Sequence, residues 1–156
     1  MRESDFIVSK TDLKGKITYG NEIFIEMSGY REKEILGQPH NMLRHPDMPK
    51  VIFKLLWERM KEKYEIFAYV KNKTKNDDFY WVYASVTASL DAYGKAIGYF
   101  SVRRKPSRDA LEIIESLYKD LIDAEKSGGI QKSQELLDSV LDEKGMTYDE
   151  FITDIS

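Results

Sequence analysis

Three β-rich segments lie close together between residues 65 and 104 and constrain the fold more than any other part of the chain. They are residues 65–73, 79–88 and 96–104. Each is rich in aromatic and β-branched side chains, which favour strands. Only short polar turns, at residues 74–78 and 91–95, separate them, and such short connections join antiparallel neighbours. The segment therefore predicts three consecutive antiparallel strands, which Pro106 ends.

The first part of the chain predicts two further strands and two short helices. Residues 5–20 form two short β-rich runs around a polar turn, the pattern of a hairpin. Asn21 is placed to cap a short helix that Gly29 ends, and residues 30–36 predict a second one. Together with the later strands, this order predicts a five-stranded antiparallel sheet with helices on one face, an α+β domain.

Longer helices are predicted outside this pattern. Residues 47–63 carry an apolar stripe at helical spacing after two prolines. Residues 107–156 predict three amphipathic helices separated by glycines. We therefore divide the chain into a first domain, residues 1–106, and a small helical C-terminal extension, residues 107–156. The extension must bury its apolar stripe on the sheet, on itself or on a partner.

The stretch of residues 38–49 has an unusual composition. It holds both histidines of the chain and three of its four prolines. Arg44 offers a planar, permanently charged guanidinium suited to a pyrophosphate, and the N–H groups of the following helix start add to an anion site. Asp47 is placed to bind a ribose or to orient Arg44. An ordinary helix start, with Arg44 paired to Asp47, explains the same residues, so they alone leave both interpretations open.

Several function classes are excluded by what the sequence lacks. It contains no cysteine, which rules out disulfides, thiolate metal sites and thiol nucleophiles. No run approaches the roughly 18 apolar residues of a membrane helix, and no signal peptide follows Met1, so we expect a cytoplasmic protein without direct membrane insertion. No catalytic, zinc-binding or nucleic-acid motif is present. We therefore expect neither an enzyme nor a nucleic-acid partner.

Seven segments together resemble the PAS domain of bacterial aerotaxis (energy-taxis) receptors. They are residues 11–24, 28–30, 36–41, 44–49, 70–72, 79–82 and 98–103. The succession Gly-Gln-Pro-His-Asn and then Arg-His-Pro-Asp-Met-Pro within residues 37–49 is the most specific of these matches. The resemblance extends over residues 5–106, and the predicted order of strands and helices agrees with a PAS fold.

The resemblance implies that the chain binds FAD. Carried over position by position, the implied FAD-binding residues are Asn21, Arg44, His45, Asp47, Trp57 and Asn72. One position departs from the family pattern, because Ile66 stands where the family has a second tryptophan. The lack of cysteine also rules out photochemistry through a cysteinyl-flavin bond.

The resemblance further implies a redox or oxygen sensor for aerotaxis, a chemotaxis-type form of signal transduction. The chain resembles the soluble PAS half of a split receptor, whose membrane-bound signalling partner would recruit it to the inner face of the membrane. A homodimer is a second assembly that the sequence leaves open. Three alternatives for the function remain: a haem PAS gas sensor using His40 or His45, a cofactor-free interaction module, and a small flavin reductase, for which no nicotinamide motif is present.

Overall fold

The structure, a computed structural model, describes residues 1–62 and 64–156. These residues form two compact units. The first unit consists of Met1–His45 and Arg59–Lys105, and the second of Pro46–Glu58 and Pro106–Ser156. The segment that follows the Arg44-His45 pair thus belongs to the same unit as the C-terminal extension. The division into domains 1–106 and 107–156 stays a prediction.

The first unit is built on an antiparallel sheet. Its strands in the described part of the chain are β1 (Ile7–Thr11), β2 (Ile17–Gly20), β3 (Ile66–Lys73), β4 (Phe79–Leu90) and β5 (Ala96–Arg104). They lie in the order β2-β1-β5-β4-β3, so the N-terminal hairpin pairs with the last strand. The predicted five-stranded antiparallel sheet is confirmed.

Short helices contribute one side of the core of this unit. Helix α1 (Glu22–Ser28) is capped by Asn21 and ends at Gly29 in the left-handed conformation, at φ 76°. Helix α2 (Glu32–Ile35) is shorter than the predicted 30–36, and a 3₁₀ turn follows at His40–Leu43. The most deeply buried side chains of this core are Ile7, Ile17, Phe24, Ile35, Leu43 and Val82. The apolar faces of sheet and helices therefore exclude water together.

Helix α3 (Lys50–Lys61) begins three residues later than predicted. The backbone N–H groups of Lys50 and Val51 donate to the carboxylate of Glu125, at 2.9 and 3.1 Å. A carboxylate there satisfies N–H groups that lack a partner within the helix and suits the positive end of its dipole. The residue at the predicted end, Lys63, lies outside the described residues.

The C-terminal extension is helical, as predicted. Helix α4 (Arg108–Lys144) is broken at Gly129, whose φ of 72° and ψ of −168° belong to a region that only glycine adopts readily. Helix α5 (Tyr148–Ile155) is capped by Thr147. The buried residues of α4 include Ala110, Ile114, Tyr118, Leu121, Ala124 and Leu137. No described helix combines the length and the apolarity that a membrane span requires.

Candidate ligand-binding site

The inner face of the sheet, which contacts α1, changes from apolar to polar along β3 and β4. Cross-strand pairs place alternate residues of the two strands side by side on this face. The pairs are Ile66 with Val86, Ala68 with Ala84, Val70 with Val82, and Asn72 with Tyr80. Three apolar pairs are thus followed by one polar pair, at the end of β3 where the Arg44-His45 pair lies alongside.

Arg103 on β5 brings a buried positive charge to this face. The residue is only 3% exposed. Its guanidinium lies over the ring of Phe24, 5.2 Å from the centroid, and its Nη2 donates to Ser9 Oγ. Burial lowers the pKa of Arg103 to about 10, so it remains charged at neutral pH. No carboxylate among the described residues forms a salt bridge with it.

His40 joins the same group of residues through Ser9. Its Nε2 lies 3.1 Å from Ser9 Oγ, and its ring lies 5.9 Å from that of Phe24. The residue as a whole is only partly buried, but its ring is enclosed, and this burial, helped by the charge of Arg103, lowers the pKa of His40 to about 3. His40 is therefore neutral at physiological pH. We call Ser9, His40, Asn72, Tyr80 and Arg103 the inner polar cluster.

Three buried atoms of the inner polar cluster have no hydrogen-bond partner among the residues that the structure describes. They are Asn72 Nδ2, Tyr80 Oη and Arg103 Nε. Burial raises the pKa of Tyr80. The amide of Asn72 lies close enough to lower this pKa, but the two side chains do not form a hydrogen bond of normal geometry. A buried polar atom without a partner costs about 1–3 kcal/mol, and such atoms are rare in proteins. Three of them on one face point to a site for a polar ligand.

The pKa of His40 predicts an acid-sensitive fold. Because His40 titrates near 6.5 when unfolded and near 3 when folded, the unfolded state binds more protons between these values. The free energy of unfolding is therefore not reduced by His40 above pH 6.5. As the pH falls from 6.5 toward 3, protonation of His40 in the unfolded state lowers this free energy by at most about 1.4 kcal/mol per pH unit. Urea unfolding of the wild type and of His40→Gln at pH 7, 6, 5 and 4 measures this contribution. Parallel pH curves for the two proteins would contradict it.

Arg44 and His45 lie beside β3, as a short extended segment. The backbone of Arg44 pairs with Asn72 in an isolated antiparallel bridge, and the N–H of His45 donates to the carbonyl of Lys71 at 3.2 Å. The His45 ring contacts Phe79 edge-on, with the ring centroids 5.8 Å apart. Arg44 has an exposed side chain, yet partial burial of its guanidinium lowers its pKa below the ordinary value. The structure thus brings Arg44, His45 and Asn72 together.

Asn21 has a structural role at the start of α1. Its Oδ1 accepts from the N–H groups of Val8 and Phe24, and its Nδ2 donates to the carbonyl of Phe6. Both ends of the amide are therefore already bonded within the protein. Asp47 and Trp57 belong to the second compact unit, where Asp47 is exposed and Trp57 is 45% exposed. The assignment of all these residues to cofactor binding stays a prediction.

Sequence reasoning missed most of the inner polar cluster. From the sequence, the adjacent Tyr80 and Trp81 point to opposite faces of a strand, one toward the core or pocket and the other toward solvent or the extension. The sequence also places Arg103, with Arg104 and Lys105, in a basic rim on the outer face of the sheet. That placement of Arg103 is wrong, because the structure buries it on the inner face. Ser9 has no role predicted from the sequence. The sequence does contain a signal for Tyr80. Side chains alternate along a strand, so Tyr80 lies on the same face of β4 as the inward-facing Val82 and Ala84, and a buried polar group there needs a hydrogen-bond partner. His40 was considered only as a haem ligand.

A comparison with protein families matches residues 17–103 to the PAS fold. Among curated proteins, the aerotaxis receptor of Escherichia coli K12 is 41% identical over 126 residues, which are 81% of this chain and 25% of that receptor. The nitrogen fixation regulatory protein of Klebsiella pneumoniae is 23% identical over 104 residues, 67% of this chain and 21% of that protein. The chain thus spans about a quarter of the length of these relatives.

Solved structures share the fold at lower sequence identity. A light-oxygen-voltage domain studied with a flavin analogue has a TM-score of 0.62 at 20% identity and covers 74% of this chain and 86% of its own. The light-state blue-light photoreceptor Aureochrome1 LOV has a TM-score of 0.61 at 20% identity, covering 73% and 90%. At this identity the similarity concerns the fold alone.

Proposed function

We propose that this chain, which belongs to the PAS family, binds FAD and acts as a redox or oxygen sensor in energy-taxis signalling. Its kinship with an aerotaxis receptor supports the signalling role. The observation that carries the cofactor proposal is the set of three unpartnered atoms in the inner polar cluster. In this proposal the chain is a non-enzymatic module that passes the flavin redox state to a partner by contact.

The ring system of a flavin matches the inner face in chemical character. One end of the ring is apolar, and the other carries two carbonyl oxygens, ring nitrogens and an N–H group. The inner face likewise has apolar pairs at one end and the Asn72–Tyr80 pair at the other. Asn72 Nδ2 and Arg103 Nε are donors, and Tyr80 Oη is both donor and acceptor. The unpartnered atoms therefore fit the polar edge of a flavin.

The diphosphate of FAD requires a second kind of site. Arg44 lies next to Asn72 and carries a charged guanidinium on an exposed residue, and this planar group suits two phosphate oxygens at once. We propose that Arg44 and His45 hold this part of the cofactor from the edge of β3. Asn21 then contributes indirectly, by holding α1 and Phe24 in place, since its amide is already bonded.

The residues of the inner polar cluster also offer a route for the signal. Bound FAD supplies reversible electron transfer, which alters the charge and hydrogen bonding of its ring. Asn72 and Tyr80 would respond by exchanging hydrogen bonds. Because they lie on paired positions of β3 and β4, such a change acts on the sheet itself. We propose that this chain is cytoplasmic and that a membrane-bound chemotaxis-type receptor binds it there and responds to this change in the sheet.

The absorption spectrum of the purified protein tests the proposal directly. Bands near ~450 nm that are bleached by reduction are expected for a bound flavin. Release of the cofactor by heat, followed by chromatography against standards, distinguishes FAD from FMN. A band near ~400 nm would instead identify haem, and a colourless protein that takes up neither cofactor would identify an interaction module.

Asn72→Leu tests two effects of the unpartnered amide of Asn72, its effect on the stability of the flavin-free protein and its effect on flavin affinity. Without flavin, the variant should be as stable as the wild type or more stable, by up to about 1–3 kcal/mol, because a buried unbonded amide is replaced by an apolar group of similar size. With flavin, it should bind about tenfold more weakly, the effect of roughly 1.4 kcal/mol. Chemical unfolding and a flavin fluorescence titration measure the two effects.

Asn76→Leu is the matched control, because Asn76 lies exposed in the turn between β3 and β4. It should leave flavin affinity unchanged. If Asn72→Leu binds flavin as tightly as the wild type, Asn72 is not a ligand.

A further inference from the structure

Arg103 is a buried cation without a counter-ion in the described part of the chain. Its known interactions there are with the hydroxyl of Ser9, the face of Phe24 and the nearby Tyr80, and its Nε is unpartnered. His40 brings no negative charge, being a neutral imidazole at physiological pH. Burying a charge without an ionic partner is unfavourable. Such an arrangement is most readily explained by a negative or electron-rich group that arrives with a ligand.

We propose that Arg103 is a redox-tuning residue, whose buried charge holds an electron-rich acceptor of the flavin ring and raises the flavin reduction potential. This inference rests on the proposed flavin binding and extends it to a property that binding alone does not fix. A ligand with a permanently anionic group would satisfy Arg103 as well. The dependence on redox state is what distinguishes the tuning role from simple anion binding.

The physical argument concerns the charge that reduction creates. Two electrons from an external donor and one proton convert the neutral oxidised ring into an anionic reduced ring. In the test the donor is dithionite, which is oxidised to bisulfite. A nearby positive charge in a site of low polarity stabilises the anionic form more than the neutral one. Arg103 therefore favours the reduced flavin, and removal of its charge should make reduction more difficult.

The experiment measures the flavin midpoint potential of the full chain by potentiometric titration with dithionite in wild type, Arg103→Gln, Arg103→Lys and Arg104→Gln. Gln keeps a hydrogen-bond donor but removes the charge, whereas Lys keeps the charge. Arg104 is the matched control, because it is the next residue of β5, is exposed, and lies over Tyr83, which faces away from the inner polar cluster. Both Gln variants change the net charge equally.

Arg103→Gln is expected to lower the ratio of reduced to oxidised flavin at a fixed potential at least tenfold, which is about 30 mV for a two-electron couple. Arg103→Lys and Arg104→Gln should stay within that interval of the wild type. Loss of the oxidised flavin from Arg103→Gln alone would assign Arg103 to binding rather than to tuning and would overturn the proposal. Equal potentials in Arg103→Gln and wild type would overturn it, and so would an equal shift in Arg104→Gln.

Two further outcomes are decided by Arg103→Lys. If both Arg103 variants fold, by circular dichroism, but lose flavin, shape rather than charge is required and the proposal fails. If Arg103→Gln does not fold, Arg103→Lys must retain the wild-type potential, and a tenfold fall overturns the proposal. A wild-type protein that binds no flavin defeats the proposed function itself, which is a separate result from a bound flavin whose potential ignores Arg103.

Discussion

Arg44→Ala is expected to weaken FAD binding by about ten- to a hundredfold while the fold survives. A charge-assisted hydrogen bond is worth about 1.5–3 kcal/mol, which corresponds to this range of affinity. The fold should tolerate the change because the Arg44 side chain is exposed, and its pairing with Asn72 uses the backbone, which alanine keeps. Flavin content after purification and a titration of the flavin-free protein with FAD measure the effect.

His45→Ala should act in the same direction. The substitution keeps the backbone hydrogen bond to Lys71 and removes the ring that contacts Phe79. Arg2→Ala is a suitable control, since Arg2 is an exposed residue that pairs with Asp5 near the N-terminus. Full flavin loading of both the Arg44 and the His45 variant would mean that residues 44–49 form only a structural helix start, the alternative that the sequence itself leaves open.

The sheet was predictable from sequence because its signals are local. Alternating aromatic and β-branched residues, short polar turns and a capping asparagine each act over a few residues. The start of α3 was not predictable in the same way. Its first N–H groups are bonded by Glu125, about 75 residues further along the chain, so nothing near Pro46 or Pro49 reveals where the helix begins.

The inner polar cluster was hidden for a related reason. Ser9 and Arg103 are 94 residues apart, and only the pairing of β1 with β5 brings them together. The register places Ile7 opposite Arg103 and Ser9 opposite Ser101, so both side chains reach the inner face. Arg44 and His45, in contrast, are identified through the resemblance. The resemblance gives residue identities, but it does not show that the charge of Arg103 is buried.

Truncation after Pro106 is expected to have the largest effect on the free protein. It removes most of the second compact unit and leaves residues 46–58 without the rest of it. Val51 and Ile52 are almost fully buried in the complete chain, at 0% and 1% exposure. The N–H groups of Lys50 and Val51 would also lose the carboxylate of Glu125. We therefore expect the shortened chain to aggregate or to change its oligomeric state, since exposed apolar surface promotes association.

The truncation removes both the carboxylate that caps α3 and the apolar surface of the extension. Glu125→Gln changes only the cap, so it separates these two effects. The carboxylate of Glu125 binds the start of α3 and also accepts from Ser133 Oγ at 2.9 Å, so it joins α3 to both halves of α4. Loss of its charge should cost about 0.5–2 kcal/mol, the usual range for a helix cap, without aggregation. Light scattering gives the oligomeric state and urea unfolding gives the stability.

A truncated protein that stays soluble, with the mass expected for the oligomeric state of the full chain, would contradict the truncation prediction. It would show that residues 46–58 do not need the extension, and the apolar stripe of α4 would then be available to a partner.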